Sequence, residues 1–140
     1  MKETLLTVLE NTRLADGIYR LRLAGDTSAI TAPGQFVNLK LSGFFLRRPI
    51  SVCDWENGEV TLIYKVLGHG TEAMTVMAVG TALDVLTGLG NGFDLSRSGE
   101  HPLLVGGGVG IPPLYGLAKR LTAQGKRVTA VLGFNRKSEI

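Results

Sequence analysis

The sequence predicts a small antiparallel β-barrel followed by the start of an α/β unit. Three observations carry this reading. Period-two alternation of apolar and polar residues recurs through the first two-thirds of the chain. Asn57-Gly58, a strong hairpin signal, sits among these runs. From His101 onward the pattern changes to strand, glycine turn, helix and strand.

Taken in order, Asp16-Gly17 reads as a turn, after which Tyr19, Leu21 and Leu23 alternate with Arg20 and Arg22. Pro33-Gly34 is a second turn, and Val37, Leu39 and Leu41 alternate with Asn38 and Lys40. Ile50 to Cys53 reads as a short apolar strand. Beyond Asn57-Gly58, whose residues tolerate positive φ, Val60, Leu62, Tyr64 and Val66 share one face. Thr71 to Met77 fits one or two helical turns, and Ala82 to Thr87 another strand. Short strands at this spacing suggest a small barrel. Leu103-Leu104-Val105 then leads into Gly106-Gly107-Gly108-Val109-Gly110. Pro112 and Pro113 suit a first helical turn, where the missing N–H is harmless. Leu114, Leu117, Ala118 and Leu121 fall on one helical face, Gly125 suits a C-terminal cap, and Val128 to Leu132 reads as a second strand. The boundary between the two parts is expected near Arg97 to Glu100.

Bulk properties narrow the function classes. The 140 residues are 44% hydrophobic and 19% charged, an ordinary globular composition. Net charge is +3 with no long basic run, and aromatics are only 6%, which argues against a nucleic-acid-binding barrel. The single cysteine, Cys53, excludes a disulfide scaffold or a four-thiolate cluster within these residues, and reads as a packed strand residue. The patch Leu5 to Leu9 is too short for a signal-peptide core, and no run reaches the roughly 20 apolar residues of a membrane helix. A soluble, cytoplasmic protein is expected.

Three segments carry chemistry. In the glycine turn, missing side chains let a pyrophosphate approach backbone N–H groups and the positive end of the following helix. Ile111 stands where the usual fingerprint has a third glycine or alanine, and Gly133-Phe134-Asn135-Arg136 lacks its acidic residue, so a ligand-free βα turn is the other reading. Arg136 is placed either to meet a ribose 2′-phosphate or to end a strand in solvent. Leu46-Arg47-Arg48-Pro49-Ile50-Ser51 is either a solvated basic turn or a diphosphate fork with a hydroxyl for an isoalloxazine edge. In Gly68-His69-Gly70-Thr71, two glycines, a hydroxyl and a helix start fit an anion-binding nest, and His69 lacks partners at zinc-ligand spacing. Tyr64 and Trp55 are open to stacking on a ligand or to simple packing. There is no Ser/His/Asp or Cys/His constellation and no recognisable acid/base carboxylate pair, so no catalytic side chain is assigned. Hard chemistry is left to a cofactor.

In order, Pro33-Gly34-Gln35-Phe36, Arg48-Pro49-Ile50-Ser51, Ile63-Tyr64-Lys65, Gly70-Thr71, Gly88-Leu89-Gly90-Asn91-Gly92-Phe93 and the run from Gly106 to Leu114 closely resemble the electron-transfer subunits of bacterial NAD-dependent dihydroorotate dehydrogenases. These belong to the ferredoxin-reductase-like flavoproteins, and the likeness runs from about Leu5 to Ile140. The resemblance implies an all-β, six-stranded antiparallel Greek-key barrel that binds FAD (residues 1–98), then an incomplete α/β nucleotide-binding unit, the first βαβ of a nicotinamide domain (99–140). It implies that Arg48, Pro49, Ile50 and Ser51 contact FAD, with Arg48 on the diphosphate. Ile63, Tyr64 and Lys65 would line the flavin site, and Gly70 and Thr71 would hold FAD phosphate. Gly106, Gly107, Gly108, Gly110, Ile111 and Pro112 would face NAD. In such systems an FMN-containing catalytic subunit oxidises dihydroorotate in pyrimidine biosynthesis, in a heterotetramer. Electrons reach FAD through a 2Fe–2S cluster and leave as hydride to NAD. The family continues past Ile140 into the rest of its nicotinamide domain and a cysteine-rich segment, so a truncated chain without the cluster ligands is expected. The small subunits of sulfide dehydrogenase and of NADH-dependent ferredoxin:NADP oxidoreductase look similar, and a non-catalytic flavin-binding fragment is the remaining alternative.

Overall fold

A computed structural model describes every residue from Met1 to Ile140. Six strands form a closed antiparallel barrel: β1 (Lys2–Ala15), β2 (Ile18–Ala24), β3 (Phe36–Leu39), β4 (Arg48–Glu56), β5 (Glu59–Lys65) and β6 (Ala82–Leu89). Around the barrel they run β1-β2-β5-β4-β3-β6, and β1 closes the cylinder by pairing with both β2 and β6. Closure leaves no open sheet edge. A short helix, α1 (His69–Met74), lies between β5 and β6.

The expected alternation is what fills the barrel. Leu21, Leu23, Val37, Leu39, Val60 and Leu62 are fully buried, and Asp16-Gly17 and Asn57-Gly58 turn the chain between the paired strands. Asn57 and Gly58 both have positive φ (52° and 76°), which makes this a turn that matches the strand twist. The strand missing from the sequence reading is β1. Leu5, Leu6, Thr7, Val8 and Leu9 look like one apolar patch because Leu5 and Leu9 stay exposed outside while Leu6 and Val8 point into the core. β4 also runs longer than expected. A bulge between Val52 and Asp54 leaves Cys53 as the extra residue, so Val52 and Cys53 are both buried but on different sides. Val52 joins the barrel core and Cys53 does not.

The second part holds β7 (Leu103–Gly107), helix α2 (Pro112–Ala123) and β8 (Thr129–Gly133), with β7 and β8 parallel. Leu104, Leu117 and Leu121 form a small core of their own, supported by Leu114 and Ala118 as the helical spacing predicts. Gly125, at φ +80°, follows the end of α2. Helix α2 lies across β4. A Cβ on Gly116 would come within 2.8 Å of the Cys53 carbonyl oxygen, so only glycine permits the approach.

On the outside of the barrel, Glu10 accepts hydrogen bonds from Arg20 (2.7 and 3.0 Å) and Arg22 (3.2 Å). Arg20, then Thr12, hold the Glu10 carboxyl down to about 2 from an ordinary 4.5. A depressed acid stabilises the fold above its unfolded pKa, and that contribution is lost as pH falls from about 4.5 towards 2. Glu10→Gln is therefore expected to melt below the parent at pH 7, with the gap narrowing as the pH is lowered through that window. Thermal unfolding at a series of pH values checks this, and a pH-independent gap contradicts it.

Candidate functional site

The two adjacent arginines have opposite situations. Arg47 is tied down: Nη2 reaches Glu3 at 2.9 Å and Asp84 at 3.0 Å, and Nη1 donates to the Asp84 carbonyl at 3.2 Å. Its contacts join β1 to β6. Burial alone would raise the Asp84 carboxyl, but Arg47 and Lys40 outweigh that and hold it low. Arg48, at the start of β4, has no carboxylate within 4.0 Å. Its Nη1 donates to the Leu46 carbonyl at 2.6 Å, and its guanidinium lies 5.1 Å from the Phe44 ring centre. It also packs directly on Gly70, where a Cβ would fall 2.0 Å from Arg48 Nε. The structure thus joins two separate sequence segments, the basic turn and the nest, at one contact.

Inside the nest, Thr71 Oγ1 accepts from the Leu67 N–H at 2.7 Å and donates to the Gly68 carbonyl at 3.2 Å. The hydroxyl thereby closes the loop. The backbone N–H groups of His69, Gly70 and Thr71 make no backbone hydrogen bond, which is the usual state of a first helical turn. They and Arg48 are the donors available to an anion. His69 is solvent-exposed, 3.6 Å from Glu72.

Further along β4, Ser51 is half-buried and pairs with Phe36 of β3, while Pro49 is exposed and Ile50 packs against the core. On β5, Ile63 and Lys65 face outward and Tyr64 inward. Tyr64 is 1% exposed, stacks on Tyr19 at 5.6 Å and donates its hydroxyl to Asn11 at 3.0 Å. Of the two roles open to this ring, packing is the one the structure shows. Tyr64 brings only its backbone to the outer surface. Asn11 in turn donates to the Met74 carbonyl at 2.7 Å, so the tyrosine anchors the end of α1. Burial pushes the Tyr64 phenol up to about 12, which keeps it a donor.

The glycine turn divides into two kinds of position. A Cβ at Gly106 would meet Leu114 at 2.6 Å, so this glycine serves helix packing. Gly108, at φ +53°, and Gly110 have nothing within 4 Å of a built Cβ. Gly108, with Gly107, lines a cleft of about 520 Å³ shared with Lys65, Leu67 and Phe134. Adjoining it, a more apolar cleft of about 450 Å³ between barrel and α2 is lined by Cys53, Ile63, Ile111, Pro112 and Tyr115. Lys65 borders both clefts and pairs with Glu139 at 3.2 Å. Burial first, and then the Asp54 charge, push the Cys53 thiol up to about 11, so it stays protonated and unreactive.

Sequence reasoning missed two devices. Gln35 is buried. Its Oε1 accepts from the N–H groups of Thr31 (2.8 Å) and Ala32 (3.2 Å), and its Nε2 donates to the Gly90 carbonyl at 3.0 Å. It locks the Pro33-Gly34 turn to the loop after β6. The other is the seam between α2 and β4: Lys119 to Asp54 at 2.8 Å and to Glu56 at 3.1 Å, with the Arg120 guanidinium 3.7 Å from the Trp55 ring centre. These partners are more than 60 residues apart, beyond any local pattern.

These residues fit a flavin dinucleotide: an unpaired arginine beside a glycine-led helix start, and an apolar cleft next to a bare glycine turn. They do not fit a 2Fe–2S cluster, which needs four protein ligands, usually thiolates, while Cys53 is the one cysteine in the sequence. Closed barrel and strand–glycine turn–helix together define the ferredoxin-reductase-like flavin fold. The ferredoxin reductase of carbazole 1,9a-dioxygenase has the same fold at TM-score 0.89 and 20% identity, over 99% of this chain and 44% of that one. An NADH-dependent reduced ferredoxin-NADP oxidoreductase matches at TM-score 0.86 and 32% identity, over 96% of this chain and 50% of that one. Within that class the sequence is similar to the electron transfer subunits of dihydroorotate dehydrogenase B (NAD(+)). The Bacillus pumilus subunit is 45% identical over 100% of this chain and 57% of its own length. The Enterococcus faecalis subunit is 43% identical over 97% of this chain and 54% of its own. The chain therefore spans somewhat over half the length of the curated relatives it matches. No family model matches it. No helix is long and apolar enough to cross a membrane.

Tyr64→Phe is expected to leave flavin uptake unchanged while lowering stability by about 1–2 kcal/mol, because Asn11 loses its donor. Urea unfolding and a flavin titration of the same variant check both halves. A large loss of flavin affinity contradicts the assignment of the ring to the core.

Proposed function

We propose that this chain is the flavin-binding part of an electron-transfer subunit that exchanges electrons between FAD and a nicotinamide nucleotide, serving a partner subunit that oxidises dihydroorotate. The observation that carries the proposal is the unpaired Arg48 guanidinium packed on Gly70, with Arg47 beside it already neutralised. In this reading Arg48 and the N–H groups of Gly70 and Thr71 hold the diphosphate. Pro49, Ile50 and Ser51 border the flavin, together with Ile63, Lys65 and the backbone of Tyr64. Gly107, Gly108, Gly110, Ile111 and Pro112 admit the nicotinamide nucleotide, with Gly106 shaping their turn. FAD supplies the chemistry, accepting or giving a hydride at the nicotinamide and single electrons elsewhere. The chain's own part is to bind, orient and exclude water. In this reading none of these residues is assigned a proton-transfer role.

The reading also takes residues 1–98 as the flavin domain and 99–140 as the beginning of the nicotinamide domain. It includes an FMN-containing catalytic partner in a heterotetramer, a 2Fe–2S relay held by residues outside this sequence, a place in pyrimidine biosynthesis and a cytoplasmic setting. It is supported by the electron transfer subunits' 43–45% identity along this chain. The 32% match to an NADH-dependent reduced ferredoxin-NADP oxidoreductase favours the second reading, a related flavoprotein of that kind. Co-purification separates the two, because the first requires an FMN-containing partner.

Purified protein is expected to be yellow and to release FAD. Arg48→Ala is expected to lower FAD retention by roughly tenfold or more, the scale of one lost charge-assisted contact. Arg47→Ala is expected to lower the melting temperature with a smaller effect on FAD. Colourless protein that takes up no FAD, or equal retention in the two variants, rejects the assignment. In a full-length version that carries the whole nicotinamide domain, Gly108→Val is expected to slow NADH-driven flavin reduction without changing FAD content, as read by stopped-flow absorbance.

A further inference from the structure

The barrel and the α2 unit have separate cores. The barrel cluster holds 15 buried residues and the α2 cluster Leu104, Leu117 and Leu121, with no shared member. Their relative position therefore depends on the seam between α2 and β4. At the middle of that seam Gly116 sits on the Cys53 carbonyl with no side chain to interdigitate. A smooth backbone contact of this kind brings the elements close but resists sliding poorly. The resistance comes from one turn further along α2. There Lys119 reaches Asp54 and Glu56 at 2.8 and 3.1 Å, and the Arg120 guanidinium lies over Trp55, 3.7 Å from its ring centre. Asp54 and Glu56 flank Trp55 on β4, so the grip has three points and a defined register.

Both elements also carry the site. β4 begins with Arg48 to Ser51 and ends with Asp54 to Glu56, and α2 begins at Pro112, directly after the glycine turn. Any slip of α2 along β4 moves Gly108 relative to Ser51 by the same amount. We propose that Lys119 and Arg120, gripping Asp54, Trp55 and Glu56, are positioning residues that set the approach of the nicotinamide nucleotide to the flavin. The inference rests on the flavin reading above. Half-exposed ion pairs of this kind add little to stability. Their value here is geometric, since misplacement by about 1 Å can slow a transfer on the order of a hundredfold.

Trp55 is the only tryptophan in the sequence, so its emission reports the seam directly. In flavin-free protein, Arg120→Ala and Lys119→Asp are expected to red-shift Trp55 emission and open it to iodide quenching, with barrel melting unchanged. In FAD-loaded protein extended through the rest of the nicotinamide domain, the same variants should keep FAD affinity within about twofold. They should reduce their flavin with NADH on the order of ten- to a hundredfold more slowly. Combining Lys119→Asp with Asp54→Lys should restore both emission and rate. A released Trp55 with an unchanged reduction rate overturns the clamp alone, as does a slow rate that the charge swap leaves unrestored. Failure of the parent chain to bind FAD overturns the flavin reading instead, and leaves the Trp55 response standing.

Discussion

Strand β4 is constrained from both sides at once, and most of the molecule follows from that. Its inner residues complete the barrel core, while its bulge turns Cys53 outward to meet Gly116 of α2. A regular strand would have sent residue 53 into the ladder with β5 and left no flat carbonyl for a helix to rest on. A residue other than glycine at 116 would have held the helix away. One extra residue on one element and one absent side chain on another together let a barrel and an α/β unit share a strand.

Charge is distributed to match. Three arginines on the barrel are structural: Arg20 and Arg22 grip Glu10, and Arg47 grips Glu3 and Asp84. Arg48, next to Arg47, has only a carbonyl, an aromatic face and a glycine around it. An unpaired guanidinium on a half-buried surface is a standing preference for an anion. It needs no rearrangement to bind one, because no salt bridge must first be broken. The paired neighbour fixes the backbone from which the unpaired one projects.

The barrel was legible in the sequence wherever one face is apolar and the other polar, as in Tyr19 to Leu23 and Val60 to Tyr64. It was illegible in β1, where exposed Leu5 and Leu9 hide the alternation of Leu6 and Val8. Glycine turns were legible because glycine is informative at any position, but the sequence alone does not separate Gly106, needed for packing, from Gly108, left bare. The basic turn and the nest were each visible as segments. Their meeting at Arg48 and Gly70 was not, since residues 22 positions apart are joined only by the curvature of the barrel. Tyr64, open in the sequence to ligand stacking or to packing, has its ring in the core. The parity of its strand, in step with Val60 and Leu62, already carried that answer.

That parity also explains how one strand serves two purposes. Along β5 the inward set, Val60, Leu62 and Tyr64, supplies volume to the core, and the outward Ile63 and Lys65 border the clefts. Because successive side chains point to opposite faces, the chemistry of the outer set is free to change without disturbing the inner one. The backbone between them is rigid, since β5 is bonded on both edges, to β2 and β4. A cofactor laid across it would meet backbone atoms whose positions are set by the core and side chains whose identity is not. In the proposed reading that is the useful division: the barrel would determine where a flavin lies, and the few outward residues would determine how it is held.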